Sequence, residues 1–261
     1  MKREYSVPHR QVGAKVWRYD VVESTNTLAL SLAHDATHHG LAIWADTQTA
    51  GRGRFGRSWL SPPGTAVLLS VLVFPPPRLQ RPVLLTAWAA VAVCETIYQS
   101  ITRQARIKWP NDVLLAGKKV CGILVEQSVG TVIGIGLNVN IPPEFFTQHH
   151  LDQATSLACL AQKPLDVENV GNRLLDRLDA NYVALLHGRA EELESAWRWY
   201  SGVWGREVML QTTGSETHRG RLREMGFDGL VLETETEPRL FLPEEVAEII
   251  RVEPGNESQE P

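Results

Sequence analysis

From Ala66 to Phe74 the chain reads AVLLSVLVF and then meets Pro75, Pro76 and Pro77. No other stretch narrows the fold as much. Thr65–Phe74, dense in Val and Leu and stopped by helix- and strand-breaking residues, reads as a buried strand. It is far short of the roughly 20 apolar residues that cross a bilayer, so it must be covered by the protein's own core. Hydrophobic residues at 43% and charged residues at 21% supply such a core and argue against a membrane protein.

The flanking patterns predict a mixed α and β unit. Val21–Ala33 is a loop passing through Glu23, Ser24, Thr25 and Asn26 into a short helix, because Ser, Thr and Asn cap helix N-termini. Leu41–Gln48 reads as a strand. Val83–Ile101 is apolar all round and reads as a long buried helix. Ile107–Leu115 and Lys119–Glu126 read as a hairpin turning at Ala116-Gly117, with Thr131–Asn140 as a further strand. Helical periodicity returns over Val167–Leu186 and Glu191–Tyr200.

From Gly202 the pattern changes. Val203–Gln211, Gly220–Glu224, Leu230–Glu233 and Arg239–Leu242 are short β segments broken by Gly214, Gly226 and Asp228-Gly229, which suggests a small barrel. The expected organisation is α+β: a mixed sheet packed by helices over 1–201, a small β-barrel over 202–254 and a polar tail over 255–261. Trp197, Trp199 and Trp204 are expected to pack the junction between the two.

Gly51–Trp59 reads GRGRFGRSW. Glycines permit positive φ and close backbone approach to a ligand, and Arg52, Arg54 and Arg57 offer guanidinium forks for carboxylate or phosphate. Three readings fit these residues: a loop that folds over an anion, an RNA-binding RGG-type segment, or a solvated basic loop. A net charge of −4 weighs against a general nucleic-acid partner, since phosphate-driven binding needs a basic footprint. The N-terminal MKREYSVPHRQVGAKVW has neither an apolar core nor a small-residue cleavage site, so no signal peptide is read. Cys94, Cys121 and Cys159 lack metal-ligand spacing and read as reduced thiols of a cytoplasmic protein. The pairs His38-His39 and His149-His150 read as surface residues, because adjacent side chains rarely converge on one metal.

More chemistry follows the arginine loop: Lys108-Trp109-Pro110-Asn111-Asp112, then Lys119, Gly122–Glu126 and Gly134–Asn138. Pro110 should break its strand and expose Asn111 and Asp112 at an edge or bulge. Gly122, Gly134 and Gly136 should leave room for a ligand to lie flat on the sheet, giving a phosphate site beside a polar headgroup pocket. Glu126 reads as a solvated charge at a strand end, and Cys121 as a core thiol.

In order and spacing, Glu23–Asn26, Thr47–Trp59, Lys108–Asp112, Lys119–Glu126 and Gly134–Asn138 together resemble the biotin protein ligases. The resemblance implies a class II synthetase-like catalytic fold with an SH3-like C-terminal barrel. It also implies a two-step reaction. Biotin and MgATP give biotinyl-5′-adenylate, and the acyl group then passes to a lysine of a biotin carboxyl carrier domain. By similarity, Arg52, Arg54, Lys119 and Asp112 are catalytic. Ser24, Thr25, Asn26, Gln48, Gly51, Gly53 and Gly122 join Arg52, Arg54 and Lys119 in holding biotin. ATP or the adenylate falls to Arg54, Arg57, Trp59, Lys108, Asn111, Asp112, Lys119 and Asn138, with Trp59 stacking on adenine. The resemblance brings magnesium with ATP, near Asp112, and no separate metal cluster is read.

About twenty residues precede the Ser24 motif, too few for a winged-helix DNA-binding domain, so no DNA partner is expected. A homodimer remains possible. Leu242–Val246 stands where many members have a glycine-glutamate turn. Two rival functions stay open: a lipoate or octanoate ligase, and a binding protein that senses biotin or its adenylate without transferring it.

Overall fold

The computed structural model describes residues 1–7 and 10–252; the polar tail expected over 255–261 lies outside the described residues. In chain order the elements are β1 (Lys2–Ser6), β2 (Lys15–Val22), α1 (Thr25–Leu32), β3 (Leu41–Gln48) and β4 (Ala66–Val73). Then come α2 (Pro82–Ile101), β5 (Ala105–Lys108), β6 (Asp112–Leu115), β7 (Lys118–Gln127), β8 (Thr131–Asn138), α3 (Pro143–Gln148) and α4 (Leu157–Ala161). The chain continues with α5 (Val167–Leu186), α6 (Ala190–Ser201), β9 (Glu207–Thr212), β10 (Thr217–Met225), β11 (Leu230–Glu233), β12 (Pro238–Phe241) and β13 (Val246–Arg251).

Among the described residues the strands make two sheets. The larger runs β1-β2-β3-β4-β8-β7-β6-β5 and is antiparallel except where β2 and β3 pair in parallel. β4 is its centre, and all of its residues are buried. Successive side chains point to opposite faces. Val67, Leu69, Val71 and Val73 therefore join the main core with α2 and α5, while Leu72 packs with α1 residues and Ala66 and Leu68 with Phe146. Coverage on both faces is why AVLLSVLVF shows no polar alternation apart from Ser70.

By length and composition α2 would suffice to cross a membrane. Its apolar stretch is instead 67% buried inside the protein, against α5, α6 and the sheet. The hairpin expected over Ile107–Glu126 has one more strand than its pattern suggested. A cis Trp109–Pro110 bond and a tight turn divide Ile107–Leu115 into β5 and β6. β1, β2 and β13 also went unread, because their exposed and buried residues do not alternate cleanly.

The smaller sheet is antiparallel in the order β12-β11-β10-β9-β13. Gly202, at φ +64, ends α6 in the left-handed conformation and turns the chain into it. Leu242–Val246, the departure from the family pattern, forms an ordered turn in which Leu242 N donates to Glu245 Oε2 at 2.8 Å. Trp197 does pack the junction, stacked on Phe227 with ring centroids 5.4 Å apart. Trp199 and Trp204 do not: they are 57% and 55% exposed. Two helical positions turn a side chain through about 200°, so a helix that buries Trp197 presents Trp199 to solvent.

Candidate active site

β2 and β3 run in parallel with Val22 paired to Gln48, so both strands deliver the following residues to one rim. There Ser24 caps α1, its Oγ accepting from Thr27 N at 3.4 Å. Thr25 donates to Gln48 Oε1 through its backbone N at 2.7 Å and through Oγ1 at 3.0 Å. Ser70, whose side chain points to this face of β4, places its Oγ 2.7 Å from Thr25 Oγ1 and 2.5 Å from Asn26 Oδ1. Ser24, Thr25 and Asn26 are all buried, so the cap and the pocket are one structure.

The glycines of β7 and β8 behave differently from expectation. Gly122 and Gly136 pair directly across the strands, and the space above them is filled by the indole of Trp59. A Cβ at Gly136 would lie 2.4 Å from Trp59 Cε2, and one at Gly122 would lie 2.9 Å from its Cζ3. Above Gly134 sits the Asn26 amide, 2.1 Å from an added Cβ. The floor thus seats the protein's own side chains, and a ligand lies beside them. Trp59 Nε1 is buried without a hydrogen-bond partner among the described residues.

The arginine loop is a tight excursion pinned at its neck. Gly53 N donates to Arg57 O at 2.7 Å, Trp59 N donates to Gly51 O at 2.9 Å, and Arg52 bridges Ser58. Phe55 and Gly56 form the tip at φ +57 and +71, and Phe55 is 84% exposed. Gly51 is needed for packing, since a Cβ there would lie 2.6 Å from Trp59 O and 3.0 Å from Gln48 Nε2.

Each inward cation meets a partner. Arg52 pairs with Glu126 at 2.6 Å, and Lys119 pairs with Asp112 Oδ1 at 2.6 Å. Arg54 Nη1 donates to Asn111 Oδ1 at 3.2 Å, while Asn111 Nδ2 donates to Ile123 O. Burial lowers the Arg54 pKa, with the Asp112 carboxylate opposing it. The break at Pro110 places Asn111 in the turn and Asp112 opposite Gly122, as its position in the sequence suggests. Lys119 Nζ lies 5.9 Å from the Trp59 ring centroid. Lys108 reaches Glu248 of β13 at 2.8 Å, and buried Asn138 donates to Thr155 O. Cys121 is fully buried, and burial pushes its thiol pKa up, as befits a core residue.

These groups surround a cleft of about 500 Å³. Of the residues the resemblance assigns to catalysis, biotin or ATP, all but Gly51 line it. Gly51 lines a second cavity, of about 1090 Å³, on the other side of the arginine loop. Arg52, Gly53, Arg54, Phe55, Arg57 and Ser58 border both cavities. The inner cleft can therefore hold a small molecule whose polar head meets the helix entrance and whose acidic end meets Arg52, Arg54 and Lys119.

Three contributions escaped the sequence reading. Ser70 is the lone polar residue of β4, and that isolation was its signal. Glu126 is half-buried, and alternation from Gly122 through Leu124 puts it on the sheet face that carries Asn26 and Arg52, to which it is bonded. Gln211, Ala247 and Glu248 come from the small sheet to the cleft wall, and only the docking of the two sheets reveals them.

The model of the biotin/lipoate A/B protein ligase family matches residues 12–140. The bifunctional ligase/repressor BirA of Bacillus subtilis is 35% identical over 227 residues, covering 85% of this chain and 70% of that protein. The biotin–[acetyl-CoA-carboxylase] ligase of Mycobacterium tuberculosis is 31% identical over 240 residues, 87% of each chain. Among solved structures, the biotin protein ligase from Aquifex aeolicus in complex with biotin and ATP has a TM-score of 0.77 at 29% identity, covering 91% of this chain and 99% of that one. The chain belongs to the biotin/lipoate protein ligase family, and within it to the biotin protein ligases.

Proposed function

We propose that the chain activates biotin with MgATP and transfers it to a lysine of a biotin carboxyl carrier domain. One observation carries this reading: the polar helix entrance, the arginine loop and Lys119 meet in a single cleft. In the first step a biotin carboxylate oxygen attacks the α-phosphorus and pyrophosphate leaves. Two anions must approach, so cations fixed in advance lower the barrier. Arg52, Arg54 and Lys119 take that role. Their resting contacts with Glu126, Asn111 and Asp112 hold them in position before substrate binds.

Biotin's ureido ring offers two N–H donors and a carbonyl, which Ser24, Thr25, Asn26 and Gln48 can match from a mostly buried rim. Gly53 and Gly122 line the same cleft, and Gly51 shapes the loop root from behind. Trp59, Lys108, Asn111 and Asn138 face the nucleotide, and exposed Arg57 helps close the loop over it. Magnesium would arrive with ATP to neutralise phosphate charge, and Asp112, a carboxylate of the cleft wall, would be the residue to hold it there. In the second step the acceptor amine attacks the acyl carbon, AMP leaves, and Asp112 steers the amine. The division into a catalytic unit over 1–201 and a smaller unit over 202–254 belongs to the same reading. So does a cytoplasmic location, and an exposed sheet edge leaves a homodimer open to the chain.

ATP–pyrophosphate exchange with biotin, lipoate or octanoate as the sole acid tests the proposal. Exchange with biotin alone is expected. Exchange with lipoate or octanoate in its place would move the chain to the sister activity, and tight biotin binding without exchange would make it a sensor.

A further inference from the structure

Glu126 joins two parts of the site that approach it from opposite directions. Its Oε2 accepts from Asn26 Nδ2 at 2.8 Å and from an Arg52 guanidinium N–H at 2.6 Å. Asn26 belongs to the helix entrance and is 4% exposed, while Arg52 stands at the root of the loop. Asn26 lines the inner cleft and Arg52 lines both cavities. Glu126 lines the outer cavity and is not among the residues lining the inner cleft. Whatever it contributes to biotin therefore passes through the other two residues.

A carboxylate only accepts hydrogen bonds, whereas an amide has one accepting and one donating end. Beside Glu126, the Asn26 NH₂ must face the carboxylate and the Leu124 carbonyl, 3.3 Å away. Its oxygen is then turned to Ser70 Oγ. Gly134 leaves no space for the amide to move toward the sheet. The same carboxylate fixes one edge of the Arg52 guanidinium and leaves its other N–H groups for an incoming anion.

We propose that Glu126 is a positioning residue for biotin: it sets the orientation of the Asn26 amide and anchors Arg52 before ligand arrives. The inference rests on the biotin-activating reading above.

Glu126→Gln keeps size and shape but offers either end of an amide to Asn26 and no charge to Arg52. The variant is expected to raise the biotin KM in pyrophosphate exchange about tenfold, with the ATP KM and the melting temperature held close to wild type. Limited trypsin digestion of the ligand-free variant should cut within residues 52–57 faster than in wild type. Glu126→Asp, which restores an acceptor-only charge, should recover part of the biotin affinity. Wild-type values for both biotin KM and ligand-free cleavage in Glu126→Gln would overturn the proposal. So would an equal rise in both KM values with a lowered melting temperature, which marks a merely structural role. Absence of biotin-dependent exchange in the wild type would sink the function instead. The digestion would still report whether Glu126 holds the loop.

Discussion

At the scale of single residues, the site depends on charges already matched and on side chains seated on glycine. Lys119→Ala removes a cation from the reaction and leaves Asp112 without its ion-pair partner. Loss of one transition-state donor costs about 10²–10³ in rate, so biotin-dependent pyrophosphate exchange should fall by that order. Near-normal exchange would remove Lys119 from the mechanism. Gly134→Ala places a methyl 2.1 Å from Asn26 Oδ1, and Asn26 is hemmed in by Ser70 and Glu126. Overpacking of this kind costs about 1–3 kcal/mol. A lower melting temperature and a raised biotin KM are both expected, and an unchanged KM would show that Asn26 does not contact the ligand. Residue types and spacing disclosed most of these positions in the sequence. They disclosed nothing of the pairing of Arg52 with Glu126, because a charge at a strand end looks solvated until the facing segment is known.

At the scale of elements, the arginine loop is held at its neck and free at its tip. Backbone hydrogen bonds fix Gly51 to Trp59 and Gly53 to Arg57, whereas Phe55 and Gly56 project with positive φ. A segment with few buried contacts opens at low cost, and an anion below it adds contacts only when it is closed. Biotin with ATP should therefore slow tryptic cleavage across Arg52–Arg57, measured as the half-life of the intact chain. Equal half-lives with and without ligands would show that the loop does not close. The Pro110 turn was legible for a chemical reason, since proline cannot continue a ladder. Its consequence, two strands where the pattern suggested one, was not. β2 gave no signal because its mixed exposure matches neither strand nor helix periodicity.

At the scale of the whole molecule, the small sheet is tied to the large one beside the cleft. Trp109 Nε1 donates to Val246 O at 2.9 Å, Lys108 pairs with Glu248, and Arg81 reaches Asp228. Trp109→Phe keeps most of the packing and deletes the bond to Val246, which costs about 1 kcal/mol. A lower urea midpoint with one shared transition is expected. Two separated transitions would show that the sheets unfold independently. The mixed architecture was readable from the strand and helix patterns before Gly202, and the small sheet from the change of pattern after it. The small sheet's share of the cleft wall was not, since local sequence does not encode how two sheets dock.

The glycine floor bears on how such chains can exchange segments. Gly134 and Gly136 come from the middle of the chain, while the Asn26 and Trp59 side chains seated on them come from its first quarter. A recombination point between the two regions separates both pairs at once. A hybrid of two related ligases therefore keeps its floor only where the parents agree at all four positions, so shuffling is restricted at places the chain itself does not break.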